Sequence, residues 1–261
     1  LITSAANPKI RSLRALHDRR HREETGRFLI EGLREVRMAL SNGVAVETLV
    51  ASPESALHLP AGVPVLWVSD DLMERIGYRG EVLAVAETFT TDLGRIPPDP
   101  RALILVIEGV EKPGNLGAML RTADACQASV LVCDPHLDIF NPNVIRASLG
   151  ALFSVPLAVG TAEEAAAFLA RLPAAVVTTL IDAPTPYWEI DFTGPVAVVV
   201  GSEAAGLSTM WRSRSRPVRI PMRGGVDSLN ASVAAAVVLF EAVRQRATQP
   251  RTLDSAPSKG G

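Results

Sequence analysis

The 261-residue sequence predicts an α/β protein of two units, the second built on a mostly parallel sheet. Three observations carry this expectation. After residue 100 the apolar runs are nearly continuous rather than alternating: Leu103 to Ile107, Val130 to Cys133, Ala175 to Leu180 and Val196 to Val200. A parallel sheet covered on both faces requires such runs. Helical stretches at about 115–126, 162–171 and 229–246 separate them, as crossover connections do. Finally, Pro97, Pro98 and Pro100 interrupt both helix and strand, placing a linker at 93–100 between units 1–92 and 101–247.

In the first unit, helical segments near 7–20, 32–42 and 70–76 alternate with strand candidates Phe28-Leu29-Ile30, Val46 to Val50, Pro64 to Val68 and Val82 to Ala86. That alternation reads as a small α/β sandwich. In the second unit, Asn115 is the N-cap candidate for the helix after the first strand. Val218-Arg219-Ile220 reads as a short strand, and Ser228 and Asn230 are cap candidates for the last helix. That helix carries Val233, Ala236, Val237, Phe240 and Val243 on or near one face. The polar stretch 248–261, with its Pro and Gly, is expected to be a disordered tail.

Composition bounds the function. A hydrophobic fraction of 48% fills real cores, and a net charge of −2 marks no overall polyanion binder. Charge is nevertheless uneven: residues 1–40 carry Lys9, Arg11, Arg14, Arg19, Arg20, Arg22, Arg27, Arg34 and Arg37 against five acidic residues. This arm reads either as a solvated helical face or as a phosphate-contacting surface. Two cysteines, Cys126 and Cys133, and scattered histidines supply neither a disulfide framework nor metal-ligand spacing. No apolar run reaches transmembrane length and the N-terminus lacks a signal-peptide layout, so a cytoplasmic protein is expected.

Three segments place small and polar residues at strand ends: Asn115-Leu116-Gly117-Ala118-Met119-Leu120-Arg121-Thr122-Ala123, Gly201-Ser202-Glu203-Ala204-Ala205-Gly206-Leu207, and Ile220-Pro221-Met222 with Ser228-Leu229-Asn230-Ala231-Ser232. Arg121 lies among small and apolar neighbours, so it needs an anion; Asp124 at i+3 is the local alternative. The 201–207 loop frees backbone amides at a sheet edge, or is simply a tight turn. It is neither a dinucleotide fingerprint nor a P-loop, because the third glycine spacing and the Gly-Lys-Ser/Thr are both missing.

The order and spacing of these segments resemble the SpoU/TrmH branch of the SPOUT methyltransferases. Asn7-Pro8-Lys9-Ile10, Phe28-Leu29-Ile30-Glu31-Gly32 and Arg79-Gly80-Glu81-Val82-Leu83-Ala84 look like that family's N-terminal substrate-binding domain, which is similar to ribosomal protein L30e. Arg146-Ala147-Ser148-Leu149-Gly150-Ala151 resembles a further family segment. Lys112-Pro113 departs from the pattern, since many relatives carry an acidic residue before that proline.

The resemblance implies transfer of a methyl group from S-adenosyl-L-methionine to a ribose 2′-hydroxyl of RNA, in large-subunit (23S) ribosomal RNA. Some family members protect the ribosome from antibiotics and others perform housekeeping modification. It also implies a trefoil knot in the C-terminal domain, a homodimer and no metal. Arg121 matches the catalytic arginine, surrounded by Asn115, Glu203, Asn230 and Ser232. Gly201, Ile220 and Leu229 match cofactor-binding positions, with Thr179 and Met222 as further candidates. Lys9, Arg19, Arg20, Arg22 and Arg146 are the RNA-contact candidates. The competing readings are a non-catalytic RNA-binding or ribosome-assembly protein on the same fold, and a nucleotide-binding oxidoreductase lacking its fingerprint.

Overall fold

The structure, a computed structural model, describes residues 1–76, 82–202 and 206–248. Its first unit runs α1 (Pro8–Ala15), α2 (Arg19–Thr25), β1 (Arg27–Glu31), α3 (Leu33–Ser41), β2 (Val46–Ala51), β3 (Val65–Trp67), α4 (Asp70–Ile76) and β4 (Val82–Glu87). The single helix expected over 7–20 is two. The Asn7 side chain accepts from the Lys9 amide to start α1, and the Asp18 carboxylate accepts from the His21 amide to start α2. Gly26, at φ +64°, stops α2 in the left-handed region. The four strands lie in the order β1-β4-β2-β3, antiparallel except for β2 with β3. Alternation along β1 sends Leu29 toward Ile10, Leu13 and Leu72, and Phe28 and Ile30 toward Val36 on the opposite face.

The second unit runs β5 (Leu103–Glu108), α5 (Pro113–Ala125), β6 (Ser129–Cys133), α6 (Pro142–Ser148), α7 (Ala151–Ser154), β7 (Leu157–Gly160), α8 (Ala162–Leu169), β8 (Ala175–Thr179), β9 (Thr185–Pro186), β10 (Val196–Val200), α9 (Thr209–Arg212), β11 (Arg216–Arg219) and α10 (Ala231–Thr248). Its seven strands follow the order β7-β6-β5-β10-β8-β11-β9, and each described pairing is parallel. Both faces are covered. Leu103, Leu105 and Ile107 pack with residues of α5 and α10, while Ile104 and Val106 pack with α8 and Trp211. Gly117 permits the close crossing of α5 on α6, because a Cβ there would stand 2.6 Å from the Ala147 carbonyl carbon.

Two capping expectations are corrected. Helix α5 begins at Pro113 after Lys112, so Asn115 stands in its first turn rather than capping it. Asn230 alone precedes α10, whose first residue is Ala231; Ser228 and Leu229 stay in the approaching loop. Glu203, Arg79-Gly80-Glu81 of the N-terminal motif and the tail beyond Thr248 lie outside the described residues.

The two units share one joint. Phe28 of β1 meets Phe140 at 4.9 Å and Phe153 at 6.2 Å between ring centroids, and Phe89 meets Phe140 at 5.0 Å. Of residues 93–100, expected to link the units, the first part is packed and the rest exposed: Leu93 and Ile96 join the core between the sheet and α8, Pro97 to Pro100 face solvent, and just before them the Val159 amide donates to the Thr91 carbonyl at 2.8 Å. The Arg22 guanidinium crosses the joint to Asp138 at 2.6 Å.

Candidate cofactor and active site

The chain builds β6 and β7 on one side of β5, then returns to place β10 and β8 on the other. Loops leaving the carboxyl ends of strands diverge at such a switch point and open a crevice. Here the loops after β8, β10 and β11, with the start of α10, enclose a cavity of about 430 Å³. That volume lies in the small-molecule range of about 300–1,000 Å³. Thr179, Gly201, Ile220, Met222 and Leu229, all five expected cofactor residues, line it. A smaller cavity of about 60 Å³ opens beside it between the ends of β5 and β10, lined by Asn115, Glu108 and Lys112 and sharing Gly201, Ser202 and Ala231.

Between the cavities the polar candidates converge. Asn230 ends the approach loop, and its Oδ1 accepts from the Ser232 amide at 2.9 Å and from Ser232 Oγ at 2.6 Å. Its Nδ2 donates to Asn115 Oδ1 at 3.1 Å, across 115 positions of sequence. The arrangement orients all three side chains, and Ser232 Oγ, having donated its proton, keeps lone pairs to accept another.

Arg121 stands apart. It is exposed on α5, lines neither cavity and forms no ion pair with another described residue. The local alternative is not taken, because Asp124 instead accepts from Ser154 Oγ at 2.6 Å.

The RNA-contact candidates divide. Lys9, Arg19 and Arg20 face solvent, the two arginines holding only exposed i,i+4 pairs with Glu23 and Glu24 that a phosphate can displace. Arg22 is corrected: it is 2% exposed. Its guanidinium is committed to Asp138 and to the carbonyls of Leu16 and His17 at 2.8 and 2.9 Å. Arg146 is partly exposed and bridges the units, donating to Glu31 at 3.2 Å and to Asn143 at 2.5 Å. Burial raises the Glu31 carboxyl above its ordinary pKa against the opposing pull of Arg146.

Sequence reasoning missed Glu108. Buried at the end of β5, it accepts from the Ser208 amide at 2.8 Å and from Trp211 Nε1 at 3.2 Å, anchoring the segment that leaves the 201–207 loop. The available signal was a carboxylate closing an otherwise wholly apolar strand. It also missed Arg219, which donates to the carbonyls of Ala183 at 2.6 Å and of Pro184, holding the loop after β8. Cys126 and Cys133 are buried, and burial pushes their thiols up to about 11 and about 12, away from the thiolate form.

A parallel sheet covered on both faces, with a small-molecule cavity at its carboxyl edge and an oriented amide–hydroxyl cluster beside it, defines an α/β protein with a ligand site at its strand ends. The profile of the SpoU rRNA Methylase family matches residues 102–240, and that of the MRM3-like substrate binding domain matches residues 7–83. The chain belongs to the SpoU rRNA methylase family. It is 34% identical to a 23S rRNA (uridine(2479)-2′-O)-methyltransferase of Streptomyces viridochromogenes over 250 residues, 88% of this chain and 87% of that one. Among solved structures it is similar to an RNA 2′-O ribose methyltransferase at TM-score 0.83 and 40% identity, covering 94% of this chain and 99% of the other. It is also similar to the SpoU methyltransferase AviRb of Streptomyces viridochromogenes in complex with AdoMet, at TM-score 0.85 and 32% identity, covering 93% of this chain and all (100%) of that one.

The close packing of Gly201 in the cavity wall gives a direct test. A Cβ on Gly201 would meet the backbone of Gly206 and stand 2.7 Å from the Leu207 amide nitrogen, whereas a Cβ on Gly224 meets nothing within 4 Å. Overpacking against backbone costs about 1–3 kcal/mol. Gly201→Ala is therefore expected to weaken S-adenosylmethionine binding by roughly 5- to 150-fold, with Gly224→Ala close to wild type. Calorimetric titration of both variants checks this, and equal affinities would remove Gly201 from the cofactor site.

Proposed function

We propose that this chain methylates a ribose 2′-hydroxyl of RNA from S-adenosylmethionine, and that the target lies in 23S ribosomal RNA. The observation that carries the reading is the meeting of all five cofactor candidates in one cavity, with Asn115, Asn230 and Ser232 hydrogen-bonded beside it. The donor set suits the cofactor. Apolar walls from Leu180, Val200, Ile220 and Leu229 fit an adenosyl group, and strand-end backbone around Gly201 offers amides and carbonyls to its edges. When bound, the cofactor supplies an electrophilic methyl carbon that needs no metal.

The protein's own part is positioning and charge. Ser232 Oγ, with its proton directed to Asn230, accepts the hydrogen bond of the attacking hydroxyl, and Asn115 holds Asn230 in that orientation. Arginine remains cationic at neutral pH, so Arg121 acts as a charge rather than a base: it grips the phosphate next to the target ribose and stabilises the oxygen as negative charge develops. The proton leaves to a phosphate oxygen or to water, while Ser232 holds the hydroxyl by a lone pair. Incubating the protein with labelled S-adenosylmethionine and total RNA, then mapping the modified nucleotide, is expected to yield one 2′-O-methylated site in 23S RNA. Label confined to transfer RNA would overturn the target, and no RNA label at all would overturn the activity.

The N-terminal unit selects the RNA through Lys9, Arg19 and Arg20. Replacing the two arginines by Ala is expected to flatten the salt dependence of RNA binding by roughly 1–2 in logarithmic slope, at about 0.7–0.9 per phosphate contact, without changing cofactor affinity. An unaltered slope removes this arm from the interface.

The working unit is a homodimer. Val233 and Phe240, 46% and 49% exposed, flank half-buried Val237 at i, i+4 and i+7 on α10, an apolar stripe suited to a second copy. In such a dimer the exposed Arg121, outside both cavities of its own chain, serves the site of the partner. The knotted passage of the C-terminal segment is supported by family membership; Arg246 separately ties α10 back to the carbonyls of Arg101 and Ala102. No described helix is long and apolar enough to cross a membrane; a ribosomal target assigns the enzyme to the cytoplasm.

A further inference from the structure

The larger cavity carries three charged side chains that the reading above leaves unused: Asp182 from the loop after β8, Arg212 from α9 and Asp227 from the loop before α10. The other described lining residues are apolar or neutral. All three charged residues are exposed at the rim, and none is drawn into an ion pair with another described residue.

The placement of Arg212 is built into the fold. A four-residue helix cannot hold a position by its own backbone bonds. Here α9 is held from below: the two oxygens of buried Glu108 take the Ser208 amide and Trp211 Nε1. Ser215 Oγ donates to the Trp211 carbonyl at 2.7 Å and meets Thr178 Oγ1 of β8 at 2.9 Å. With Trp211 fixed in the core at 1% exposure, its neighbour Arg212 is delivered to the cavity mouth.

An apolar pocket rimmed by one guanidinium and two carboxylates matches a ligand that is apolar and aromatic at one end and zwitterionic at the other. Resting on the cofactor assignment above, we propose that Arg212 binds the α-carboxylate of S-adenosylmethionine, and that Asp182 and Asp227, from the loops after β8 and before α10, take its α-ammonium. The planar fork of a guanidinium suits a carboxylate in two-point contact. An RNA phosphate is the competing partner. Arg212 is disfavoured for that role because it shares its cavity with Thr179, Gly201 and Ile220 and lines nothing beside Asn115.

The test compares two ligands by calorimetry on the full chain. S-adenosylhomocysteine carries the amino-acid end; 5′-methylthioadenosine keeps the adenosine thioether and lacks that end. Arg212→Met is expected to weaken S-adenosylhomocysteine roughly 10- to 100-fold, as loss of a charged hydrogen-bonded pair does, while 5′-methylthioadenosine binds as to wild type. Arg212→Lys should recover part of the loss, and Asp182→Asn with Asp227→Asn should repeat the selectivity. Equal weakening of both ligands would mean that the loop had collapsed and would overturn the proposal. So would an unchanged S-adenosylhomocysteine affinity accompanied by weaker RNA binding, which would make Arg212 a phosphate contact. Wild-type protein that binds neither ligand would instead overturn the cofactor assignment itself.

Discussion

Arg121→Ala is expected to lower the single-turnover methylation rate by about 100- to 1,000-fold, the usual cost of removing one preorganised charge from a developing oxyanion, while cofactor affinity stays as in wild type. The affinity should hold because Arg121 lines neither cavity. Arg121→Lys should recover little, since a point charge cannot reproduce a two-pronged grip on phosphate. The dimer adds a sharper form of the test. If Arg121 serves the partner's site, mixing inactive Arg121→Ala chains with inactive Asn230→Ala chains should restore activity. Each heterodimer then holds one site with both groups intact, so about one quarter of wild-type turnover returns at random pairing. If Arg121 serves its own chain, both sites of the heterodimer are broken and the mixture stays dead. Near-wild-type turnover of Arg121→Lys would reject the two-pronged grip, and near-wild-type turnover of Arg121→Ala would remove the arginine from the chemistry altogether.

The second large effect is on stability. Arg22→Ala is expected to cost about 3–5 kcal/mol, the range for breaking a buried ion pair by removing one partner. It leaves Asp138 Oδ2 and the carbonyls of Leu16 and His17 without their arginine donor at the joint between the units, while Asp138 Oδ1 keeps the Phe140 amide. The fall in Tm should be roughly 6–20 °C, at about 2–4 °C per kcal/mol for a chain of this size class. Replacing the pair together, Arg22→Met with Asp138→Leu, should recover much of the loss, because no charge is then stranded. Denaturant unfolding of the three proteins decides. A loss under about 1 kcal/mol, with RNA affinity reduced, would return Arg22 to the RNA-binding arm and contradict its burial.

Much of the architecture was legible because its causes are local. The runs at Leu103, Val130, Ala175 and Val196 are apolar on both faces, and each became a central parallel strand. The N-terminal alternation became the four-stranded sheet. Strand β7 escaped notice because Leu157 to Gly160 is short and lies at the sheet edge, where little apolar length is needed. The break between α1 and α2 escaped because helical periodicity masks a cap: Asp18 can end up in solvent mid-helix or begin a new one, and only packing decides. The same local ambiguity moved Asn115 from cap to first turn, where its side chain is free to reach Asn230.

The amino-acid sequence alone determined the two-unit α/β plan and the strand-end segments that meet in the site, because burial pattern and motif spacing are written in consecutive residues. The tertiary structure alone decided which charges are free. Arg19, Arg20 and Arg22 share one helix and nearly one local context, yet two face water and the third is sealed against Asp138, 116 positions away. Arg212 reaches the cavity because Glu108, more than a hundred residues earlier (103 to Trp211), holds its neighbour. A charge acts through the distances and solvent around it, and those are set by parts of the chain that no local pattern brings together.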